Sequence, residues 1–409
     1  MKCRHCESPL SNKFLDLGYA PPSNAYLTKN DLCKPEVHLP LRVMVCVNCW
    51  LVQTEDYATG EDVFKDDYAY FSSTSISWLN HAKNYVDMIS NRLSLTKNSM
   101  VIEIASNDGY LLQYFKHKDI PCLGIEPTRG TAEAARKKGI DVLQQFFSSS
   151  VGDELKFENR TADLIIGNNV YAHVPKINDF TNGLKKALKE GGTITLEFPH
   201  LLKLMQSTQF DTIYHEHFSY LSLSVVERIF NSSNLKIYDV EEIETHGGSL
   251  RVYGCHIQDE KKQTNNVKEL LKIEAEYGLS SLSTYDAFQA KTDIVKNNFL
   301  EFLINAKKKG KKVVGYGAAA KGTTLLNYAG VKTDLIDCIY DAADSKIGKF
   351  LPGCHIPIFS HKLLESSNAD YVIILPWNIS VEIISKYSSV LKRDAKFITA
   401  IPKLYTHKN

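Results

Sequence analysis

The sequence predicts an α/β protein with two successive open parallel sheets behind a cysteine-bearing N-terminal region. Three observations predict it. Strand-like apolar runs alternate with helical patterns from about residue 65 to 255. The alternation stops in a polar helical stretch, 259–309, and then restarts. Ahead of both lies a turn-rich segment punctuated by Pro21, Pro22, Pro35 and Pro40. Strand–helix alternation places helices on both faces of a parallel sheet. The expected parts are therefore 1–64, 65–258 and 259–409.

Composition narrows the class. The 409 residues carry 48 Lys+Arg against 47 Asp+Glu, a net charge of +1. Charged residues are 23% and hydrophobic ones 44%, which suits packed globular domains. At roughly 100–200 residues per domain, two or three are expected. Balanced charge argues against nucleic acid or an anionic membrane as partner. No run of about 18 apolar residues suggests a membrane span. Met1-Lys2-Cys3-Arg4-His5-Cys6 has no apolar stretch behind a basic one, so a cytoplasmic chain is expected. The 9 cysteines are odd in number and favour reduced thiols and a metal over disulfides.

In the first part, Cys3-x-x-Cys6 and Cys46-x-x-Cys49 form two knuckle-like pairs. Each pair can set two thiolates on one side of a tight turn, and four thiolates complete a tetrahedron around zinc. All positions are then filled, so the zinc is structural. The alternative is four unlinked thiols. Cys33, without a CxxC partner, reads as a small buried residue.

In the second part, the strand candidate Met100–Ala105 runs into the small-residue turn Ala105, Ser106, Asn107, Asp108, Gly109, then a helix over Tyr110–Phe115. Such a turn brings backbone and a helix N-terminus to a ligand at the carboxyl edge of a sheet. The next strand, Cys122–Glu126, ends in a carboxylate followed by Pro127 and then a helix over Thr131–Lys138. Glu126 lies about 20 residues past the turn, where a ribose-binding acid belongs. Asp163–Gly167 reads as a further strand, with Asn168 and Asn169 at its mouth, and Thr193–Phe198 as another. This order points to S-adenosylmethionine (SAM) or a dinucleotide, although a strand-terminal acid can equally be a helix cap.

Phe210–Tyr220 is the least ordinary stretch. It holds Tyr214, His215, Glu216 and His217 between apolar flanks. His-x-His lacks further ligands at metal spacing, and histidine is the natural general base near neutral pH. The alternative is a surface loop. His173, just past the strand that ends near Asn168, is a second candidate at the same sheet edge.

In the third part, Lys312–Gly315 leads into a glycine-rich turn, Tyr316-Gly317-Ala318-Ala319-Ala320-Lys321-Gly322. Backbone amides there can receive a pyrophosphate, with Lys321 adding charge. Further strand candidates are Leu335–Tyr340, Tyr371–Leu375 and Lys396–Ala400. Asp341 follows the second strand where a ribose acid would lie. On its own this half looks like an NAD site, and its alternative is a plain strand-to-helix turn.

Together these segments resemble the SAM-dependent NDP-sugar C-methyltransferases. The resemblance covers nearly the whole chain and rests on the cysteine pairs, Glu103–Gly109, Asn169–Pro175, Tyr214–Tyr220, His246–Tyr253 and Gly315–Gly322. It implies a zinc-binding N-terminal region, a central Rossmann-like class I methyltransferase domain and a smaller Rossmann-like domain that helps hold the nucleotide sugar. It implies methylation at C3 of an NDP-4-keto-deoxysugar. It assigns the base to His217, with Glu216, Tyr214 and His173 beside it, and gives Glu103 the loop and the ligand amine. Aromatics in 67–73, Tyr68 and Tyr70 among them, look like the family's lid over cofactor and sugar. His246, Arg251, Tyr316, Lys321 and Asp341 fall to the nucleotide sugar; for Arg251 the alternative is a surface salt bridge. Two other readings stay open: an NAD-dependent oxidoreductase or epimerase of nucleotide sugars, and a non-catalytic zinc-ribbon scaffold.

Overall fold

The computed structural model describes residues 1–55, 57, 71–388 and 395–407. Tyr68 and Tyr70 lie outside the described residues. Among those described, the strands form sheets of four, seven and six strands. No helix among them is long and apolar enough to cross a membrane.

The seven-stranded sheet is built around short, mainly apolar central strands such as Cys122–Ile125 and Ala162–Asn168. Its order is Leu235–Ile243, Ser249–His256, Leu188–Pro199, Ala162–Asn168, Val101–Ile104, Cys122–Ile125, Asp141–Leu143. The last five are parallel, and Ser249–His256 is antiparallel to both its neighbours. Val101–Ile104 is buried at every residue because helices cover both faces. One such cover is Ile76–Arg92, started by Ser75 accepting from the Trp78 amide and burying Ala82, Tyr85, Val86 and Ile89.

The six-stranded sheet repeats the plan. Ile358–Ser360, Ile339–Asp341, Val313–Tyr316, Tyr371–Ile374 and Lys396–Thr399 run parallel, and Tyr405–His407 closes one edge antiparallel. The expected strand Leu335–Tyr340 shortens to Ile339–Asp341. The Leu335 and Ile336 amides both turn back to the Lys332 carbonyl and leave the ladder. The polar stretch 259–309 forms the helices Asn265–Tyr277, Leu282–Asp286 and Phe288–Lys308.

The four-stranded antiparallel sheet takes Asn12–Ala20, Leu39–Val45 and Val52–Thr54 from the N-terminal region. Its fourth strand, Ser219–Tyr220, comes from the histidine segment. Arg4 ties the cysteine turn to the same segment through the Phe218 and Thr54 carbonyls, 2.6 and 2.8 Å away. Cys33 is exposed, contrary to expectation, because it closes the surface turn Asp31–Cys33.

Candidate active site and zinc centre

The four cysteine sulfurs all lie within 4.8 Å of one another, with Cys3–Cys49 and Cys6–Cys46 at 3.5 Å. A tetrahedron with zinc–sulfur bonds of about 2.3 Å has edges of about 3.8 Å, so the cluster fits zinc closely. Gln53 Nε2 donates to Cys3 Sγ at 3.2 Å, an outer-sphere contact of the kind that orients a thiolate ligand. The sulfurs line no part of the main cavity, and they leave no open position for chemistry.

That cavity, of about 1260 Å³, is walled by all three parts of the chain. On the central sheet, the turn after Val101–Ile104 needs left-handed backbone at Ala105 (φ 56°), Asn107 (φ 50°) and Gly109 (φ 74°). Gly109 takes its left-handed φ without strain, and a Cβ there would press on Ile140 Cδ1 at 2.4 Å and on Ala135 at 3.3 Å, so glycine suits this position. Glu126 Oε2 accepts the Asn107 amide and Oε1 the Thr128 amide, both at 3.0 Å. Ala105, Asn107, Glu126, Pro127, Asn168 and Asn169 reach the wall. Glu103, Ser106, Asp108 and Gly109 stand behind it as support. Asp108 takes the Ser73 hydroxyl and lies 3.3 Å from Lys138. Burial pushes the Glu103 carboxyl well above its usual range; the Tyr110 hydroxyl opposes this, and the charges of Asp108 and Glu126 add to it. Asn168 is 8% exposed, and neither end of its amide has a hydrogen-bond partner among the described residues. An orphaned amide on a cavity wall beside a carboxylate fits a polar, partly cationic ligand.

Across the cavity stands the histidine segment. His217 Nδ1 lies 2.8 Å from the Thr212 carbonyl, which can only accept, so Nδ1 carries the proton. Nε2 is then free to accept and takes the Tyr214 hydroxyl at 2.9 Å. The His173 ring stands edge-on, with centroids 4.6 Å apart. Burial, then the neighbouring His173, hold His217 well below the usual imidazole range. Burial brings His173 down to about 4 and His246 to about 3. Glu216 accepts from Asn24 Nδ2 at 2.6 Å. His215 points the other way, with Nε2 3.2 Å from the Pro40 carbonyl, so the two histidines of His-x-His cannot share a metal.

The third wall carries the lysines. Lys321 Nζ reaches the His246 carbonyl at 3.4 Å and Asn378 Oδ1 at 3.2 Å, over the Trp377 ring. His246, in left-handed backbone, receives Asn169 Nδ2 at 3.0 Å on its Nε2. Three sequence expectations need correction here, because these side chains do not reach the wall. Arg251 faces Glu197 across the strand pair, pairs with it at 2.5 Å, and binds Glu241 at 2.9 Å. Tyr316 turns its hydroxyl to that of Tyr387 at 3.1 Å. Asp341 accepts the Ala318 and Ala343 amides at 2.6 and 2.7 Å, bracing the glycine-rich turn from behind. Lys346, Lys349, Asn24 and Trp78 do line the cavity and were not legible from motif spacing. The only local signal was Pro21-Pro22, which marks the turn that carries Asn24 inward.

A zinc binding domain model matches residues 3–64, a methyltransferase domain model 78–240, and a C-methyltransferase C-terminal domain model 244–402. C-methyltransferase NovU from Streptomyces niveus is 33% identical over 402 residues, covering 98% of this chain and 96% of NovU. The chain belongs to the SAM-dependent C-methyltransferase family. As a member of that family it is a methyltransferase with SAM as cofactor, a structural zinc and a small-molecule substrate. Among solved structures, a SAM-dependent methyltransferase from Clostridium acetobutylicum is 14% identical with a TM-score of 0.36, covering 43% of this chain and 91% of its own. Magnesium protoporphyrin IX methyltransferase from Synechocystis, with bound SAH, is 12% identical with a TM-score of 0.34, covering 43% and 82%.

Proposed function

We propose that this methyltransferase acts on C3 of an NDP-4-keto-deoxysugar, with His217 as general base. The observation that carries the reading is the His217 ring: its tautomer is set by Thr212, which leaves Nε2 unprotonated under the Tyr214 hydroxyl, and the residue lines the cavity it shares with the Glu126 turn and the lysines. Glu126, Asn107 and Asn168 would hold the cofactor, with Glu103 and Asp108 bracing the loop. Bound SAM supplies an electrophilic methyl group.

A keto group acidifies the proton on the neighbouring carbon. His217 Nε2 removes that proton, and the bonding pair becomes an enolate whose carbon is the nucleophile. Burial keeps His217 neutral and ready to accept. Tyr214 leaves Nε2 and donates to the enolate oxygen, helped by His173. Glu216, held by Asn24, lines the same cavity and would supply negative charge as the imidazolium forms. Lys321, Lys346 and Lys349, with the open amides at the start of Ala320–Tyr328, suit the diphosphate. Holding base and carbon together accounts for much of the acceleration.

An NAD-dependent oxidoreductase or epimerase would need Asp341 facing a ribose, and Asp341 sits behind its turn, off the cavity wall. The test is mass spectrometry of products after incubation with SAM and a panel of 4-keto NDP-sugars. A mass gain of one methyl on a keto sugar is expected. Gain only on sugars lacking the ketone would overturn the enolate route. Deuterium exchange at C3 without SAM checks the proton step separately.

A further inference from the structure

The turn at Pro21–Leu27 belongs to the zinc-binding region, yet it forms part of the cavity wall through Pro22, Asn24, Ala25 and Tyr26. It is anchored at its far end by a two-way backbone bridge, Leu27 to Phe350, at 3.0 and 2.8 Å. Phe350 follows Lys349 directly. Tyr26 donates its hydroxyl to the Ala318 carbonyl at 2.6 Å, in the glycine-rich turn, and lies beneath Lys346. Asn24 stands between this anchor and the histidine segment.

The amide of Asn24 has one workable orientation. A carboxylate only accepts, so the nitrogen faces Glu216 Oε1, at 2.6 Å. The oxygen then faces the Tyr26 hydroxyl, at 3.3 Å, which shares its proton between Asn24 and Ala318. A short hydrogen bond to an ionised acceptor is among the stronger ones and restricts the carboxylate's rotation.

We propose that Asn24 is the positioning residue for Glu216, and that Tyr26 ties this positioning to the wall that carries the lysines. The zinc-binding region therefore contributes to the chemistry through a side chain, besides supporting the fold. This rests on the reading of Glu216 as the partner of the base. The titratable groups that line the cavity with Glu216 come from every wall: Tyr26, Tyr110 and Tyr214; His173, His217 and His246; Glu126 and Asp179; and Lys176, Lys321, Lys346 and Lys349; none of them is removed by replacing Asn24.

The experiment compares Asn24→Ala, Asn24→Asp and Tyr26→Phe in the full-length, zinc-loaded protein. Asn24→Asp keeps the size and the acceptor for Tyr26 while removing the donor. On a keto sugar that the wild type methylates, both Asn24 variants should lose about tenfold or more in kcat, with KM for SAM within about twofold. Tyr26→Phe should lose less. The second readout needs no substrate: carbon-13 NMR of glutamate carboxyls, with the Glu216 signal identified by its loss in Glu216→Gln. Its titration midpoint should rise by about one pH unit in Asn24→Ala, since a donor to the charged form has gone. Unchanged kcat with an unchanged midpoint would overturn the proposal. Wild type inert on every keto sugar would sink the substrate reading instead, and the carboxyl titration alone would then decide for or against Asn24.

Discussion

In the central sheet, the turn after Val101–Ile104 is surrounded by Glu103, Asp108 and Glu126; in the C-terminal sheet, the turn after Val313–Tyr316 has Lys321, Lys346 and Lys349 about it. Both are strand–turn–helix units at the carboxyl edge of a parallel sheet, and both carry an acid at the end of the next strand. The shared geometry supplies backbone amides and a close approach. The side chains around it choose the sign of the ligand. Carboxylates suit a sulfonium and an ammonium, and lysines suit a diphosphate. The next-strand acids also differ in use. Glu126 reaches the cavity wall, whereas Asp341 braces its turn from behind. The two turns thus share a topology and differ in the charges set around one cavity.

The sharpest test leaves both turns intact. His217→Ala should lower kcat by about 10²–10⁴-fold while SAM and nucleoside-diphosphate affinities stay within about twofold. Full turnover in that variant would remove His217 as base.

Removing zinc should act on both sides at once, because the cysteine region supplies Asn24 and pairs with Ser219–Tyr220. A chelator should lower the melting temperature and abolish activity, with zinc release followed by a metal-sensitive dye. Full activity in zinc-free protein would detach the region from the site.

A crossed pair of variants measures the charge difference directly. Glu126→Ala should weaken SAH binding by about tenfold or more and leave a nucleoside diphosphate unaffected. Lys349→Ala should do the reverse, by a smaller factor that shrinks with added salt. Calorimetric titration of both ligands against both variants would show it. Equal losses in all four titrations would mean the two turns do not sort their ligands by charge.

The smallest effect concerns pH. His217 works when neutral, and burial holds it below the ordinary imidazole value of about 6.5. Its active form therefore persists as pH falls past 6.5, and kcat/KM should hold to lower pH than a free histidine would allow. A falling limb centred near 6.5 would contradict this. Stability runs the other way. The unfolded chain takes up protons on His173, His217 and His246 below about 6.5 while the folded chain resists, so melting temperature should decline as pH drops below that value.

Much of this was readable from residue order. The parallel strands announce themselves as short apolar runs, and Val101–Ile104 and Cys122–Ile125 fall inside the runs Met100–Ala105 and Cys122–Glu126. Small residues in Ala105–Gly109 signal a turn under steric demand. Arg251 shows where such reading stops. A basic residue in a glycine-flanked segment looks available for phosphate, but cross-strand register sets it against Glu197, and burial then commits the pair to each other. Lys346 and Lys349 show the converse: lysines in a turn-rich stretch carry no local mark of function, and only chain packing brings them to the cavity.

By itself, the sequence determined two α/β parts behind a cysteine-bearing region, the four clustered thiols, the small-residue turn with an acid at the end of the next strand, and the histidine segment. Each depends on neighbours within a few residues, or on strand–helix order. The tertiary structure alone decided which histidine of His-x-His faces the cavity, which acid reaches its wall, and that Asn24 meets Glu216. Those outcomes depend on register and on contacts between residues far apart in the chain, which no local spacing encodes.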